Sequence, residues 1–243
     1  QHDLPHAARP QREACAPGHR EHEPRRAAEL NAFLVRFSDA VRGLSDPGEV
    51  AATACRLIAE ELGVDRAYWV EVDWTSREYV IGADHHAPGA QPVGGRFPVD
   101  SWQPFSSYHL EGRPVIVTDV ARDERVSPEM RGGYAALGVA ADLAVSVLAG
   151  GQLRSVLVVN QAHARDWTAE EVALVRGAAE RCWAEIERAR AEGLVRASEE
   201  RQAFLLKLSD ALRGELDADA LANRALQMLF NHLRLDRCYI TYY

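Results

Sequence analysis

Cysteine is scarce in this chain of 243 residues, with four, Cys15, Cys55, Cys182 and Cys238, scattered far apart and no CxxC pair among them. That spacing supplies neither a disulfide framework nor a zinc site, so the thiols read as reduced. Positive charge is also in short supply: 28 Lys and Arg face 36 Asp and Glu, for a net charge of −8. Phosphate backbones and anionic bilayers attract clustered cations, so neither nucleic acid nor membrane is an expected partner. Long apolar runs are missing too. The longest, Tyr134 to Gly150, is interrupted by Asp142 and falls short of the roughly 20 residues a spanning helix needs. No apolar segment follows the charged N-terminus as it would in a secretory signal, and the expected compartment is the cytoplasm. There is no GxxxxGK[ST] loop, GxSxG elbow or HExxH pair, so no catalytic constellation is expected in these residues.

What is present suits a folded core, since 47% of the residues are hydrophobic and 26% charged. Residues 1–25 are the exception. They are rich in Pro, His, Arg and Ala with one Leu and no apolar period, and read as a disordered leader. Cys15, His19 and His22 lie there at a spacing that could hold a metal, but in a tail of this composition they are expected to be only a tail.

The most informative feature is an internal repeat. Residues 32–72 align without a gap on 203–243, with 15 of 41 positions identical, among them Phe33/Phe204, Asp39/Asp210, Gly43/Gly214, Asp65/Asp236, Arg66/Arg237 and Tyr68/Tyr239. An offset of 171 residues is too long for a solenoid and measures one domain plus its connector. The expected layout is a leader at 1–25, a complete domain at 26–192, a long helix at 168–213 shared by both copies, and the truncated start of a second copy at 200–243. The chain therefore reads as a fragment of a longer tandem protein.

Within the complete copy the pattern is helix, helix, strand. Ala27 to Arg42 carries Leu30, Phe33, Leu34, Phe37 and Val41 on one face and is closed by Gly43. Asp46 caps a second helix with Pro47 at its first position. Alternation predicts a strand over 65–72 and a partner over 77–83. A Gly- and Pro-bearing crossover, a short helix near 103–111, a strand at 114–117 and a helical piece at 127–138 follow. Two apolar strands, 139–148 and 152–160, are joined at Gly150-Gly151, a hairpin turn signal. From the Thr168 cap the helical pattern runs about 45 residues, roughly 70 Å, crossing Gly193. Val175, Cys182 and Ala189 step by seven, with Ala179 and Ile186 between, which predicts an interface with a partner helix. The fold class is α+β: an antiparallel sheet of five to six strands flanked by N- and C-terminal helices, with a long connecting helix.

The segments ADHHAPG, GRFPVDSWQPF, RPVIVTDVARDERVSPEMRGGYAALGV, LAVSVLAGGQLRSVLVVN and RDWTAEEVALVRGAAERCWAEIERARAE resemble a GAF domain of the kind found in tandem at the front of bacterial sensor histidine kinases. The resemblance covers about 30–190 and restarts at about 200. It implies a sensory input region that relays binding of a small molecule or a partner into an output domain further along the same chain, with homodimerisation through helix 168–213. Cyclases, phosphatases and transcription factors carry similar inputs, and no His-Glu-x-x-x-x-Pro phosphoacceptor box of a kinase occurs here.

The same segment is similar to the bilin-binding domain of phytochromes, which makes a bilin- or haem-binding light or redox sensor the alternative reading. Of the phytochrome Asp-Ile-Pro stretch this chain keeps only Asp100, followed by Ser101 and Trp102. In place of Ser-Pro-x-His it reads Ser127-Pro128-Glu129-Met130, with Glu129 where plant-type members attach the bilin. A covalent bilin is therefore not expected, and the cofactor is left unidentified. A GAF enzyme that reduces free methionine sulfoxide would need cysteines converging on the pocket, whereas Cys55 and Cys182 fall in terminal helices. By position in the family, the pocket candidates are His85, His86, Asp100, Trp102, Phe105, Tyr108, Met130 and Tyr134. The two histidines close a predicted strand and open the crossover, with no third ligand at a metal spacing. The aromatic and Met side chains suit either a flat organic ligand or a ligandless core.

Overall fold

The ladders of a six-stranded, wholly antiparallel sheet organise the chain, in the order β3-β2-β1-β6-β5-β4. In this computed structural model residues 19–213, 217–234 and 236–241 are described, with side chains from Ala28 onward. The strands are β1 (Arg66–Asp73), β2 (Glu78–His86), β3 (Gly95–Pro98), β4 (Val115–Val117), β5 (Ala141–Ala149) and β6 (Gln152–Gln161). The helices are α1 (His19–Val41), α2 (Pro47–Leu62), α3 (Phe105–Leu110), α4 (Pro128–Ala136), α5 (Ala169–Leu212) and α6 (Ala218–Leu233), and a 3-10 turn, Val99–Trp102, precedes α3. The α+β class and the flanking helices stand as the sequence predicts them.

Period-two alternation sorts the central strands onto two faces. Trp69 of β1 pairs with Leu157 of β6, which pairs with Val145 of β5. All three are buried, as are Phe33, Phe37, Ala54, Ile58, Val175 and Cys182 from α1, α2 and α5. On the opposite face Val70, Ala144, Val156 and Val158 join Phe105, Met130 and Tyr134 in a second cluster. Gly150 and Gly151, with φ of 60° and 73°, form the β5–β6 turn, a left-handed pair that matches the twist of a two-residue hairpin.

The helix starts follow the predicted caps. The Asp46 side chain accepts from the Glu49 N–H at 2.9 Å. At α5 the Glu171 N–H donates to Thr168 Oγ1 (3.2 Å) and the Thr168 N–H donates to Glu171 Oε2 (2.9 Å), a reciprocal capping box. Three carbonyls in and just after the short edge strand β4 are occupied. Arg125 donates to the Ile116 carbonyl (2.6 Å), Trp167 Nε1 to that of Val117 (3.3 Å) and the Arg165 N–H to that of Thr118 (2.9 Å).

The chain divides into two units, 1–43 with 51–183, and 44–50 with 184–243. The first holds the sheet. The second contains the later part of α5 and α6, whose Asp217 cap accepts from the Ala220 N–H at 3.0 Å and whose His232 ring stacks on Phe204 at 3.7 Å.

Several expectations change. Helix α1 starts at His19, inside the segment expected to be a disordered leader. Glu, Arg and Ala dominate 19–29, and these residues propagate a helix without needing an apolar face. Cys15 and the side chains of His19 and His22 lie outside the described residues. Of the row expected to meet a partner helix, Val175, Ala179 and Cys182, all in the first unit, are fully buried within this chain. A seven-residue step is shared by coiled coils and by any helix laid on its own core, and the period alone does not separate them. Residues 236–241 form no strand, although the repeat predicts one. In the first copy the equivalent strand is held between β2 and β6, and no such neighbours pair with 236–241 among the described residues.

Gly193 lies inside α5 and does not interrupt it. A Cβ there would meet no heavy atom within 4 Å, so the backbone entropy of glycine is the whole cost. Gly193→Ala is expected to stabilise the helix by about 1 kcal/mol, read as a small rise in midpoint in thermal unfolding followed by far-UV circular dichroism. A fall in midpoint would mean that the glycine serves a contact or a bend.

Candidate functional site

Between the outer face of the sheet and the crossover segments lies a cavity of about 60 Å³. Its floor is laid by the alternation of the central strands: Tyr68 and Val70 from β1, Tyr79 and Ile81 from β2, Val156 and Val158 from β6, and Asp142 and Ala144 from β5. Trp102, Phe105, His109 and Tyr134 close it from above, from the 3-10 turn, α3 and α4. The rings of Trp102 and Tyr134 meet edge to face at 5.7 Å. The space is far below the roughly 300 Å³ or more of drug-sized pockets.

Two ionisable groups stand out in this apolar setting. Asp142, 4% exposed, accepts from Asn160 Nδ2 at 2.5 Å and from the Tyr134 hydroxyl. Burial, only partly offset by those bonds, pushes its carboxyl up to about 7. His109 shares a hydrogen bond between Nδ1 and Ser146 Oγ at 2.9 Å, and burial lowers its pKa to about 4, so it is neutral at physiological pH. The Asp142 carboxylate also raises the hydroxyl of Tyr68, after burial itself.

At one end of the same face sits Arg66, 2% exposed. Its guanidinium donates to the backbone carbonyls of Gln91 (2.5 Å) and Leu137 (3.3 Å) and makes no ion pair among the described residues. Its work is to tie the crossover after β2 to the C-terminal end of α4. The crossover has a second tie, Val93 N–H to Asp84 Oδ2 at 2.6 Å. These ties hold the cavity's roof to its floor.

Of the eight residues expected at the pocket, Trp102, Phe105 and Tyr134 line the cavity. The other five do not. Met130 is buried in the cluster that supports it. Tyr108 packs against that cluster, with the Arg113 guanidinium 4.1 Å from its ring centroid. Asp100 is exposed and paired with Arg77 at 3.3 Å. His85 and His86 are the last residues of β2, paired with Ala67 and Arg66, because the strand runs three residues past its predicted end. Among the described residues no group of three or more His, Cys, Asp or Glu could hold a metal ion. Sequence reasoning missed Tyr68, Tyr79, His109 and Asp142. The signal for two of them was visible: Tyr68 shares its strand face with Val70, and Asp142 is the lone charge in an apolar strand.

Cys55 and Cys182 are fully buried on the other, helical side of the sheet. Burial drives both thiols far above their ordinary range, which suppresses the thiolate a nucleophile needs.

Comparison with known families is decisive for the fold: the GAF domain model matches residues 46–186, more than half of the chain. The chain belongs to the GAF family. No curated protein matches it in sequence. Among solved structures, this GAF chain is similar to a bacteriophytochrome, RpBphP3, of the photosynthetic bacterium R. palustris (TM-score 0.69, 14% identity, covering 84% of this chain and 46% of that one). It is also similar to the GAF domain of a phosphoenolpyruvate-protein phosphotransferase from Coxiella burnetii (0.57, 20%, 69% and 98%). A third is the free methionine-R-sulfoxide reductase of Neisseria meningitidis, solved with its substrate (0.56, 18%, 68% and 93%). At these identities the likeness is one of fold. GAF domains are a sensory family in signalling proteins. Among the described residues no helix is long and apolar enough to cross a membrane.

Proposed function

We propose that this GAF domain is the input region of a bacterial signal-transduction protein, of the tandem type that precedes a histidine kinase. It takes a small molecule in the aromatic-walled cavity and passes the event to a paired α5. The observation that carries this reading is the cavity itself, a partly open space with one buried carboxylate under a roof of aromatic side chains. Its volume favours a ligand group of a few heavy atoms over a tetrapyrrole. A mechanical path supports the relay. Val115 of β4 lines the cavity, and two residues on, the Val117 carbonyl receives Trp167 one residue before the α5 cap.

Beyond Gly193, α5 exposes Leu194 (74%), Val195 (57%), Leu205 (54%) and Leu206 (67%). Residues 194 and 205, and 195 and 206, stand 11 apart, three helical turns on one side of the helix. A second copy of the chain is the proposed cover for this stripe. Sedimentation of the whole chain at high micromolar concentration is expected to give a dimer, and Leu194→Glu with Leu205→Glu a monomer. A wild-type monomer under those conditions overturns the pairing.

A further inference from the structure

We infer that the cavity is a receptor for a cationic nitrogen, the ammonium head of a small amine, held by Asp142 within a cage of Tyr68, Tyr79, Trp102, Phe105 and Tyr134. This deepens the sensory reading and rests on it. With Phe97, which also lines the space, six aromatic side chains bring π electron density to about 60 Å³, and aromatic cages of this kind attract ammonium groups most strongly where water is excluded. Asp142 is the only carboxylate lining the space, and no Lys or Arg lines it. Its two donors, Asn160 and Tyr134, are neutral, and it makes no ion pair among the described residues. The nearest buried cation on this face, Arg66, is occupied by the Gln91 and Leu137 carbonyls. His109, the one basic side chain in the wall, is held neutral by burial.

A buried carboxylate with only neutral partners is relieved either by a proton, which burial favours here, or by a bound cation. A carboxylate ligand would add a second negative charge beside it, and a neutral apolar ligand would leave it as it is. An ammonium group supplies the missing charge and its N–H donors together, and the volume admits a head group with one or two carbons. The rest of a larger amine would have to extend past Trp102, which is only half buried.

The test uses the whole chain and ethylammonium chloride as probe, with ethanol as the neutral near-isostere, sodium acetate as the anion and sodium chloride at matched ionic strength. Intrinsic tryptophan fluorescence and thermal midpoint are the readouts. Saturable binding of ethylammonium is expected, at least tenfold tighter than ethanol, with none for acetate. Asp142→Asn should weaken ethylammonium at least tenfold and leave ethanol unchanged. Trp102→Leu, which keeps the carboxylate and removes one wall of the cage, should weaken it about threefold to tenfold and serves if Asp142→Asn fails to fold. Equal binding of ethanol and ethylammonium, or ethylammonium binding indifferent to both substitutions, overturns the cationic site while leaving a small-molecule cavity intact. Absence of binding by all three probes overturns the cationic site and counts against the sensory reading of the cavity.

Discussion

Asp142→Asn and His109→Gln are expected to tilt the pH dependence of stability in opposite directions, against a wild type in which the two groups nearly cancel. The sign follows from linkage. Asp142 has a folded value near 7 against about 4 unfolded, so between these values the folded state holds more protons and stability falls as pH rises. His109 has a folded value near 4 against about 6.5 unfolded. Between those values the unfolded state holds more protons, so this contribution is present above pH 6.5 and is lost as pH falls toward 4. Each arm has a slope of about 1.4 kcal/mol per pH unit, and the windows overlap over most of pH 4 to 6.5. Removing Asp142 should expose the rising arm, worth about 3 kcal/mol. Removing His109 should expose the falling arm, worth about 4 kcal/mol. The surface carboxylates held low by arginines, Asp73 near 2 and Glu78 and Asp123 below their ordinary range, act alike in all three proteins and drop out of the differences. Urea unfolding at half-unit steps from pH 4.5 to 8 reads this directly, and parallel profiles for the three proteins would refute the assignment.

The second large effect concerns the roof of the cavity. Phe105 is 2% exposed and belongs both to the cavity wall and to the cluster beneath it. Phe105→Ala should cost about 4 kcal/mol, the transfer term of the ring plus the void it leaves, and lower the thermal midpoint by about 8 to 16 °C. The enlarged space is apolar on most sides, so benzene-saturated buffer should return part of that loss by mass action. In the wild type, where about 60 Å³ is smaller than a benzene ring needs, benzene should shift nothing. Equal shifts in both proteins, or no recovery in the variant, would show that the wall collapses after substitution or that the cavity is not where binding occurs.

The helices and central strands were legible because their signals are local. Asp46 and Thr168 cap where short-range hydrogen bonding says they should, and Gly150-Gly151 turns the hairpin that its dipeptide predicts. The cavity was half legible. Trp102, Phe105 and Tyr134 were found by their place in the inserted segments, whereas Tyr79 and His109 reach the wall through β2 register and α3 orientation, which no local pattern records. Asp100 and Tyr108 lie outside the cavity wall for separate reasons: Asp100 is exposed beside Arg77, and Tyr108 packs on the supporting cluster with the Arg113 guanidinium over its ring. His85 and His86 were misplaced by a strand end, where pairing with Ala67 and Arg66 extends β2 beyond its own apolar alternation. The heptad row of α5 was seen correctly as a buried stripe, and Val175, Ala179 and Cys182 are already covered within this chain.

The way β4 ends the sheet has a bearing on how copies of this chain can associate. An exposed edge strand invites another strand to add to it, which is the usual route to unwanted aggregation. Here Arg125, Trp167 and Arg165 already use the Ile116, Val117 and Thr118 carbonyls. At the other edge β3 is four residues long, carries Arg96 and finishes at Pro98. Both borders are thus blunted as templates for strand addition, which favours helical surfaces as the place where copies would meet.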